Sequence, residues 1–382
     1  MASKKNTRAR NGAGSVRQRS ETLWEGRYTD ERGRQRSVYA PTEEAARQAV
    51  KRALAQMTLG IWVEPSSVTV NAWVKAWLKD YTSQLKPTTR KSYVSLMTHH
   101  VLPAIGKLKL HKVTQGTIKR MMGQLLDKGL SPSTLKSIKI ALSSCLSAAV
   151  ECKLITVNPC FGVKMKRAPK KKLVFVDRKD FPAFLAEVRK HRYSAAILLM
   201  FQTGIRSSEL RGLRWSDVDL DAATLTVARQ IIETKQGPII QTPKDDEERT
   251  IILTADTVAV LRHYRTTQAE LRLKYGPWVD TPVTRDLIFR SKDGSVYRQN
   301  RLYYTVSQIG KAIGINGLHP HSLRDSYAIA ALRAGVDVKT VSNNLGHSNT
   351  AMTLNKYIEY TDDMGRVAAE KYAQYLRENS TN

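Results

Sequence analysis

A short basic segment in the middle of the chain most constrains how the chain can fold, because no packed element accommodates it. Residues 164–172 read Lys-Met-Lys-Arg-Ala-Pro-Lys-Lys-Lys, and Pro169 together with the clustered charge disfavours a buried helix or strand. With 382 residues, the chain is long enough for two or three domains with separate cores. We therefore predict an interdomain linker at 164–172 and a new domain at 173–382.

The first 63 residues predict a small domain of β-sheet and one helix. Two short runs at 22–29 and 35–40 flank Asp30-Glu31-Arg32-Gly33, which is typical of a hairpin turn. A helix then runs to about Met57 with Thr42 as its N-cap. Such a sheet can present basic side chains to a DNA groove, although a solvated basic surface is the alternative. The candidate DNA-binding residues of this domain are Arg17, Arg19, Arg27 and Arg34.

Residues 64–163 predict a module of four amphipathic helices. The first helix has one apolar stripe at 3,4 spacing that includes Trp73, Trp77 and Tyr81, and we assign its tryptophans to a core rather than to base stacking. Thr114 is the predicted cap of the third helix, and Ser131 is the predicted cap of the fourth. Cys145 falls in an apolar row, so we expect a buried free thiol, and three cysteines without a C-x-x-C pair argue against a disulfide framework.

Charge indicates what this helical module binds. The whole chain carries 62 basic and 34 acidic residues, which gives a net charge of +28 and points to a polyanionic partner. Residues 64–172 hold 20 of the basic residues and only 4 of the acidic ones, as expected of a clamp on the DNA backbone. Its candidate DNA-binding residues are Lys86, Arg90, Lys91, Lys136 and Lys139, with Lys170 and Lys171 of the linker.

The same composition disfavours a membrane protein. No apolar run approaches the length that crosses a bilayer, and no apolar stretch follows the charged first residues as in a secretory signal. No long basic amphipathic helix or lipidation signal supports binding to a membrane surface. We therefore expect an intracellular, cytoplasmic protein.

Residues 173–382 predict a mixed α/β domain. Helices are expected at 180–191 and 194–202, followed by β-rich runs at 224–230, 239–242 and 250–253, and then by helices to the end. The chain lacks the glycine-rich G-x-x-x-x-G-K-[ST] loop, so nucleotide hydrolysis is not indicated.

Six side chains of this domain suit attack on a phosphodiester. The transition state spreads negative charge over the non-bridging oxygens, which fixed cationic groups stabilise, and a phenol can serve as the nucleophile. A Ser at 207 or 208 can cap a helix after Arg206, while His321 and Arg324 share one face at the start of another. The candidate catalytic residues are Arg206, Lys244, His321, Arg324, His347 and Tyr357.

We expect neither a metal nor a cofactor at this site. The acidic residues at 245–248 are consecutive in a turn, where carboxylates usually face water, and His319 and His321 lack a third ligand at metal-binding spacing.

Taken together, these motifs resemble those of the tyrosine recombinase family, the integrases of phages and conjugative elements. The chain has Thr-Gly-Ile-Arg-Ser-Ser-Glu-Leu at 203–210, a β-region lysine, His-Ser-Leu-Arg at 321–324, Leu-Gly-His at 345–347, and then Tyr357. Two features remain open: Lys235 is an alternative to Lys244, and His319 is an additional imidazole before the second arginine motif.

The resemblance implies a multidomain, mainly α-helical protein with β-structure. Its parts are an arm-binding domain with a small β-sheet and helix at 1–63, a helical SAM-like core-binding domain at 64–163, and the catalytic domain at 173–382. It implies cleavage and rejoining of duplex DNA at core and arm attachment sites through a 3′-phosphotyrosyl intermediate, which integrates or excises a prophage or mobile element without a cofactor. A type IB topoisomerase or resolvase with the same chemistry, and a non-catalytic DNA-binding regulator, are the alternatives.

The resemblance also implies partners. Strand exchange requires a homotetramer on DNA, and accessory excision or DNA-bending proteins are further expected partners of a bacterial or phage-encoded enzyme at the nucleoid. The C-terminal tail carries an apolar stripe that either docks on a partner or packs on its own domain. Its members are Met364, Val367, Ala368, Tyr372, Tyr375 and Leu376.

Overall fold

The computed structural model divides the chain into two compact units, Met1–Pro169 and Lys170–Asn382. The division falls inside the segment at 164–172, and the finer domain boundaries stay predictions. Side chains at 364 and 366–368 are not described. The residues that the structure describes are 14–30, 33–59, 67–165, 172–234, 237–243, 248–276, 278, 280–360 and 364–379.

The first unit begins with a three-stranded antiparallel sheet and one helix. The strands are β1 (Ser15–Ser20), β2 (Leu23–Thr29) and β3 (Gln35–Ala40), in that order across the sheet. Helix α1 (Glu43–Thr58) follows Thr42, whose side chain caps it as predicted. The sequence prediction missed β1, because Val16 is its only apolar residue and an edge strand without alternation resembles a polar loop.

The helical module of the first unit follows the predicted order. Its helices are α2 (Val70–Asp80), α3 (Pro87–Leu96), a π-turn (Met97–Val101), α4 (Leu102–Ile105), α5 (Gln115–Asp127) and α6 (Pro132–Glu151). Thr114 and Ser131 cap α5 and α6 as predicted, because each side chain accepts a hydrogen bond from the first helical turn.

The core of this module contains most of the residues assigned to it. Trp73 and Trp77 are buried, and Cys145 is a buried free thiol. Tyr81, the last member of the stripe, follows the last turn of α2 and is exposed, and its hydroxyl lies 2.8 Å from Cys152 Sγ. The stripe at 3,4 spacing therefore ends with the helix, and the next residue no longer points inward.

The second unit mixes helices with two small β-structures. It opens with a 3-10 turn (Arg178–Asp180), α7 (Phe181–Arg189), α8 (Ser194–Thr203), α9 (Ser207–Gly212) and a second 3-10 turn (Trp215–Asp217). Strands β4 (Val218–Asp219), β5 (Thr224–Val227) and β8 (Arg249–Ile252) form one antiparallel sheet, and β6 (Gln230–Thr234) pairs with β7 (Gly237–Gln241) as a hairpin. The predicted single run at 224–230 is thus split between two strands.

Helices complete the second unit. They are α10 (Ala255–Tyr275), α11 (Gln299–Ala312), α12 (Pro320–Arg333), α13 (Val338–Leu345), α14 (Thr350–Tyr357), a 3-10 turn (Ile358–Tyr360) and α15 (Met364–Asn379). None of the described helices is both long and apolar enough to cross a bilayer.

The second unit has two main cores. The larger core joins α7–α12 to the sheet, whereas a smaller one lies among α12, α13 and α14. Tyr357 belongs to the smaller core, together with Leu332, Val341 and Leu345. The predicted nucleophile is therefore a buried core residue in this structure.

Candidate active site

Two arginines from distant parts of the sequence meet near the αL turn at Gly346. Arg206 Nη2 donates to the Gly346 carbonyl at 2.8 Å, and Arg324 donates to the carbonyls of Leu345 and, at 2.8 Å, Gly204. Arg324 is buried, and burial beside Arg206 lowers its pKa to about 10, which keeps it cationic at neutral pH. Two adjacent guanidinium groups held by carbonyls make a preorganised site for an anion.

Two glycines create this arrangement. Gly204 ends α8 with φ of 68°, and Gly346 ends α13 with φ of 60°, so both lie in the left-handed region that favours glycine. Each sharp turn directs the glycine carbonyl toward an arginine. If the helix continued, this carbonyl would instead point along the helix axis.

A buried carboxylate organises the first arginine. Glu209 is fully buried, and it accepts hydrogen bonds from the backbone and side chain of Arg206 at 2.9 and 2.7 Å. The prediction that Ser207 or Ser208 caps this helix was wrong, since Arg206 is the N-cap residue and Glu209 receives its amide. The sequence motif contained Glu209, and its i,i+3 spacing from Arg206 indicates a contact between the two side chains. The sequence prediction did not use this spacing.

The structure adds Arg249 to this cluster, which sequence reasoning missed. Its guanidinium contacts Glu209 through two nitrogens and donates from Nε to the Asn344 carbonyl at 2.9 Å. Burial alone would raise the pKa of Glu209, but the hydrogen bond and charge of Arg249, with the charge of Arg206, lower it. Glu209 is therefore ionised at neutral pH, and the cluster keeps a net positive charge.

The imidazole of His319 has a structural role. His319 is the N-cap of α12, where its Nδ1 accepts a hydrogen bond from the Ser322 amide at 3.1 Å. Its ring lies nearly parallel to those of Tyr303 and His321, with centroids 6.2 and 6.4 Å away. Pro320 occupies the first turn of α12, and His321 and Arg324 lie on one side of this helix, as predicted.

His347 lies immediately after the Gly346 turn. Its Nδ1 is 2.8 Å from the Thr353 hydroxyl. Partial burial, and then the positive charges of Arg324 and Arg206, lower the pKa of His347 to about 4. His347 is thus neutral at physiological pH and can either donate or accept a hydrogen bond at the site.

Tyr357 is fully buried, and its hydroxyl donates to Asp325 Oδ1 at 2.7 Å. Burial, the charge of Asp325 and this hydrogen bond together raise the pKa of Tyr357 above its ordinary value. Lys356 donates to the same Asp325 oxygen at 2.6 Å and lies 3.1 Å from His321 Nε2. Sequence reasoning missed Asp325 and Lys356, although each adjoins a predicted catalytic residue.

Two cavities lie beside these residues. The first, of about 210 Å³, is lined by Ile205, Arg206, Ser207, Ser208, Pro320, His321 and Arg324. The second, of about 330 Å³, is lined by Arg206, Pro243, Glu248, Arg249, Thr250, Asn343, Gly346, His347 and Ser348. Four of the six candidate catalytic residues line these cavities, whereas Tyr357 lines neither and is linked to His321 through Asp325 and Lys356. Lys244, like its alternative Lys235, lies outside the described residues.

In the first unit, three of the four candidate arginines converge on one acid. Arg17 and Arg19 each contact Glu25 at 2.7 Å, and Arg27 lies 3.2 Å from it, while the Glu25 side chain is itself buried. One carboxylate thus orients three guanidinium groups on the sheet. The fourth, Arg34, has an exposed side chain, and its amide donates to Asp30.

The candidate residues of the helical module differ in environment. Lys86, Arg90, Lys91 and Lys136 are exposed, as expected for contacts with a DNA backbone. Lys139, in contrast, is only partly exposed, and its ammonium donates to the Val163 carbonyl at 2.5 Å. A groove of about 1200 Å³ follows this face of α6. Lys170 and Lys171 lie outside the described residues.

Part of the predicted C-terminal stripe is exposed. Tyr372, Tyr375 and Leu376 of α15 are exposed, while Lys371 donates to the carbonyls of Ala334 and Gly335 at 3.1 Å. The side chains at Met364, Val367 and Ala368 lie outside the described residues. Among the described side chains, no group of three or more metal-binding residues is close enough to hold a metal ion.

Comparison with protein families gives two matches. Residues 174–364 match the phage integrase family, and residues 69–126 match the SAM-like N-terminal domain of phage integrases. The first match covers the whole arginine, histidine and tyrosine cluster, and the second covers most of the helical module. The predicted resemblance and fold class are thus confirmed.

Individual relatives agree with these matches. A XerC-like tyrosine recombinase of Caldanaerobacter subterraneus subsp. tengcongensis is 28% identical over 86% of this chain and 89% of its own length. The ICEBs1 integrase of Bacillus subtilis is 22% identical over 81% of this chain and 84% of its own length. The Tn1549 transposon integrase, solved with a circular intermediate DNA, has a TM-score of 0.70 at 20% identity, over 80% of this chain and all of that chain.

Proposed function

The chain belongs to the phage integrase family of tyrosine recombinases, which cleave and rejoin DNA, and we propose that Tyr357 is the nucleophile of this reaction. The Tyr357 oxygen attacks the scissile phosphate, a new phosphorus–oxygen bond forms, and the bond to the 5′-oxygen breaks. The products are a 3′-phosphotyrosyl link and a free 5′-hydroxyl. The 5′-hydroxyl of a second strand then reverses the step, so the energy of the broken bond is conserved without ATP.

The cavity that contains both arginines and His321 carries this proposal. Its volume of about 210 Å³ suits a phosphodiester group, and Arg206 and Arg324 approach it from two helical elements. They stabilise the charge that develops on the non-bridging oxygens, while His321 and His347 assist proton transfer and orient the phosphate.

Lys244 protonates the leaving 5′-oxygen in this proposal. The residues on both sides of the undescribed segment at 244–247, Pro243 and Glu248, line the cavity that contains Arg206 and His347. Glu233 and Pro238, which lie two and three positions from the alternative Lys235, line a different cavity with Arg298. This difference favours Lys244 as the general acid.

The basic first unit also binds DNA in this proposal. The arginines oriented by Glu25 contact arm sites, and the exposed basic residues of α3 and α6 contact the phosphates of core sites. The chain integrates and excises a mobile element or prophage. Its similarity to the ICEBs1 integrase supports this role. It acts in the bacterial cytoplasm as a homotetramer on DNA, and the exposed aromatic residues of α15 support contact between subunits. Accessory excision or DNA-bending proteins set the direction of the reaction.

Covalent capture tests the nucleophile. A core-site duplex is first selected from a random library by the full-length protein, and a nick then traps the cleaved strand. The native protein should form a covalent adduct on a denaturing gel, and Tyr357→Phe should bind the duplex without forming it. Tyr360→Phe, a matched control three residues away, should retain the adduct. An adduct with Tyr357→Phe would reject the assignment.

A recombination assay separates the enzyme classes. Two plasmids that each carry a selected site should exchange segments in the presence of an integrase. A topoisomerase would relax each plasmid without exchange, and a non-catalytic regulator would do neither.

A further inference from the structure

The nucleophile that the proposed function requires is not available to DNA in this structure. Tyr357 is fully buried in the core formed by α12, α13 and α14, and its hydroxyl is held by Asp325. A scissile phosphate is part of a bulky duplex that cannot enter this core. The tyrosine must therefore leave its position before it can attack.

We propose that Asp325 and Lys356 form a latch that holds Tyr357 in this buried position until DNA binds. The proposal rests on Tyr357 being the nucleophile, and it assigns positioning roles to two residues outside the recombinase motifs. The latch consists of two hydrogen bonds to Asp325 Oδ1, from the Tyr357 hydroxyl at 2.7 Å and from Lys356 Nζ at 2.6 Å.

The chemistry of these contacts opposes attack. Asp325 is only 3% exposed, so its charge is poorly screened, and Lys356 compensates for it. A phenolate beside an ionised carboxylate would place two negative charges within hydrogen-bonding distance. Attack by Tyr357 therefore requires separation from Asp325 rather than proton loss in place.

The contacts of Lys356 link the latch to DNA. Its side chain is 32% exposed, and its ammonium reaches both Asp325 and His321 Nε2, which lines the smaller cavity beside Arg324. A phosphate in that cavity offers Lys356 a second anionic partner. When Lys356 turns to the phosphate, Asp325 loses its counter-ion, and the buried arrangement that holds Tyr357 is weakened. Phosphate binding and release of the nucleophile are thus coupled through one side chain.

A spectroscopic measurement on the DNA-free protein tests the latch directly. A single 3-fluorotyrosine at position 357 reports its exposure through ¹⁹F-NMR broadening by a soluble gadolinium chelate. The native protein should show little broadening without DNA. Asp325→Ala should become strongly broadened, Asp325→Asn should be intermediate because its amide oxygen still accepts a hydrogen bond, and Tyr360→Phe should match the native protein.

Kinetics on the selected nicked duplex give the functional counterpart. At saturating protein, adduct formation should be about tenfold faster in Asp325→Ala than in the native protein, because the resting state loses a charged hydrogen bond. The acceleration should be somewhat smaller in Asp325→Asn. Circular dichroism confirms folding, and Asp325→Asn decides the result if Asp325→Ala unfolds.

Three results would overturn the latch. The first is a native ¹⁹F signal that the chelate broadens as strongly as the signal of Asp325→Ala, or of Asp325→Asn if Asp325→Ala unfolds. The second is an adduct rate of that same variant within twofold of the native rate. The third is a rate at least tenfold slower in folded Asp325→Asn, which would make Asp325 a proton acceptor in the reaction. If the native protein forms no adduct through Tyr357, the proposed function fails, whereas the ¹⁹F measurement still reports on the contact itself.

Discussion

The carboxylate of Glu209 binds the guanidinium group of Arg249 through two hydrogen bonds, Nη2 to Oε2 at 2.6 Å and Nη1 to Oε1 at 3.2 Å. The same carboxylate binds Arg206, so one buried acid fixes two arginines that are 43 positions apart in sequence. This contact joins the start of α9 to β8. It therefore sets the position of Arg206 at the proposed phosphate site.

Replacing Glu209 should destabilise the protein strongly. Glu209→Gln keeps the size of the side chain but removes the buried negative charge that both guanidinium groups contact, which should lower the free energy of unfolding by about 3 kcal/mol. Urea titration followed by circular dichroism measures the change. Glu187→Gln is the control, because Glu187 pairs with the exposed Lys190 at the surface and its loss should change the free energy of unfolding far less.

The pH dependence of this variant gives an independent check. The pKa of Glu209 is lowered in the folded state, so its stabilising effect is complete above the ordinary value of 4.5 and is lost as pH falls toward the lowered value. The difference between the native protein and Glu209→Gln should therefore shrink below pH 4.5. A difference that stays constant from pH 7 to pH 3 would contradict an ionised Glu209.

Gly204 should be intolerant of any side chain. Its φ is 68°, and an added Cβ would lie 2.4 Å from Tyr327 Cδ1 and 2.9 Å from Leu345 Cδ2. Gly204→Ala should lower the free energy of unfolding by about 2–4 kcal/mol and displace the carbonyl that binds Arg324. Thermal unfolding measures the loss. Gly123→Ala, inside α5 with open space around it, should instead be neutral or stabilising by up to about 1 kcal/mol.

Local signals explain which parts of the fold were predictable. Thr42, Thr114 and Ser131 cap their helices through contacts three residues away, so the sequence contains both partners. The αL turn at Gly346 is local in the same sense. The apparent cap at Ser207 failed because Ser207 is already the first helical residue, and Arg206 before it is the N-cap, whose amide donates to Glu209.

Long-range contacts explain what the sequence could not reveal about the site. The motif spacing predicted Arg206, His321, Arg324, His347 and Tyr357 as site residues, but not how they are held. Arg249 reaches Glu209 across 40 positions, and Asp325 reaches Tyr357 across 32. Neither acid–partner pair follows a helical or strand period, so only the folded chain reveals it.

His347 should make the protein less stable in mild acid. Its folded pKa of about 4 lies below the ordinary value of 6.5, so the unfolded chain binds a proton first as pH falls between these values. The free energy of unfolding should therefore drop by about 2 kcal/mol between pH 6.5 and pH 4.5 from this group. In His347→Gln this part of the drop should disappear. Equal pH slopes in the two proteins would show that His347 is not desolvated as described.

The two candidate lysines should differ sharply in their effect on cleavage. Lys244→Ala should slow adduct formation by about 10²–10⁴-fold, the usual contribution of a general acid, whereas Lys235→Ala should stay within about twofold. We expect this difference because the residues flanking 244–247 line the cavity with Arg206 and His347, whereas the residues near Lys235 line a different cavity. Single-turnover cleavage of the selected duplex measures both rates.

A modified leaving group tests whether Lys244 supplies a proton. If sulfur replaces the 5′-bridging oxygen, the departing thiolate is stable without protonation, so a missing general acid no longer limits the rate. Lys244→Ala should then cleave the sulfur substrate at nearly the native rate. Arg324→Ala is the matched control, because it removes stabilisation of the non-bridging oxygens, which the sulfur does not replace. If the sulfur substrate rescues Arg324→Ala to the same extent as Lys244→Ala, Lys244 is not the proton donor. If Lys235→Ala shows a comparable defect and the sulfur substrate rescues it, Lys235 is the proton donor instead.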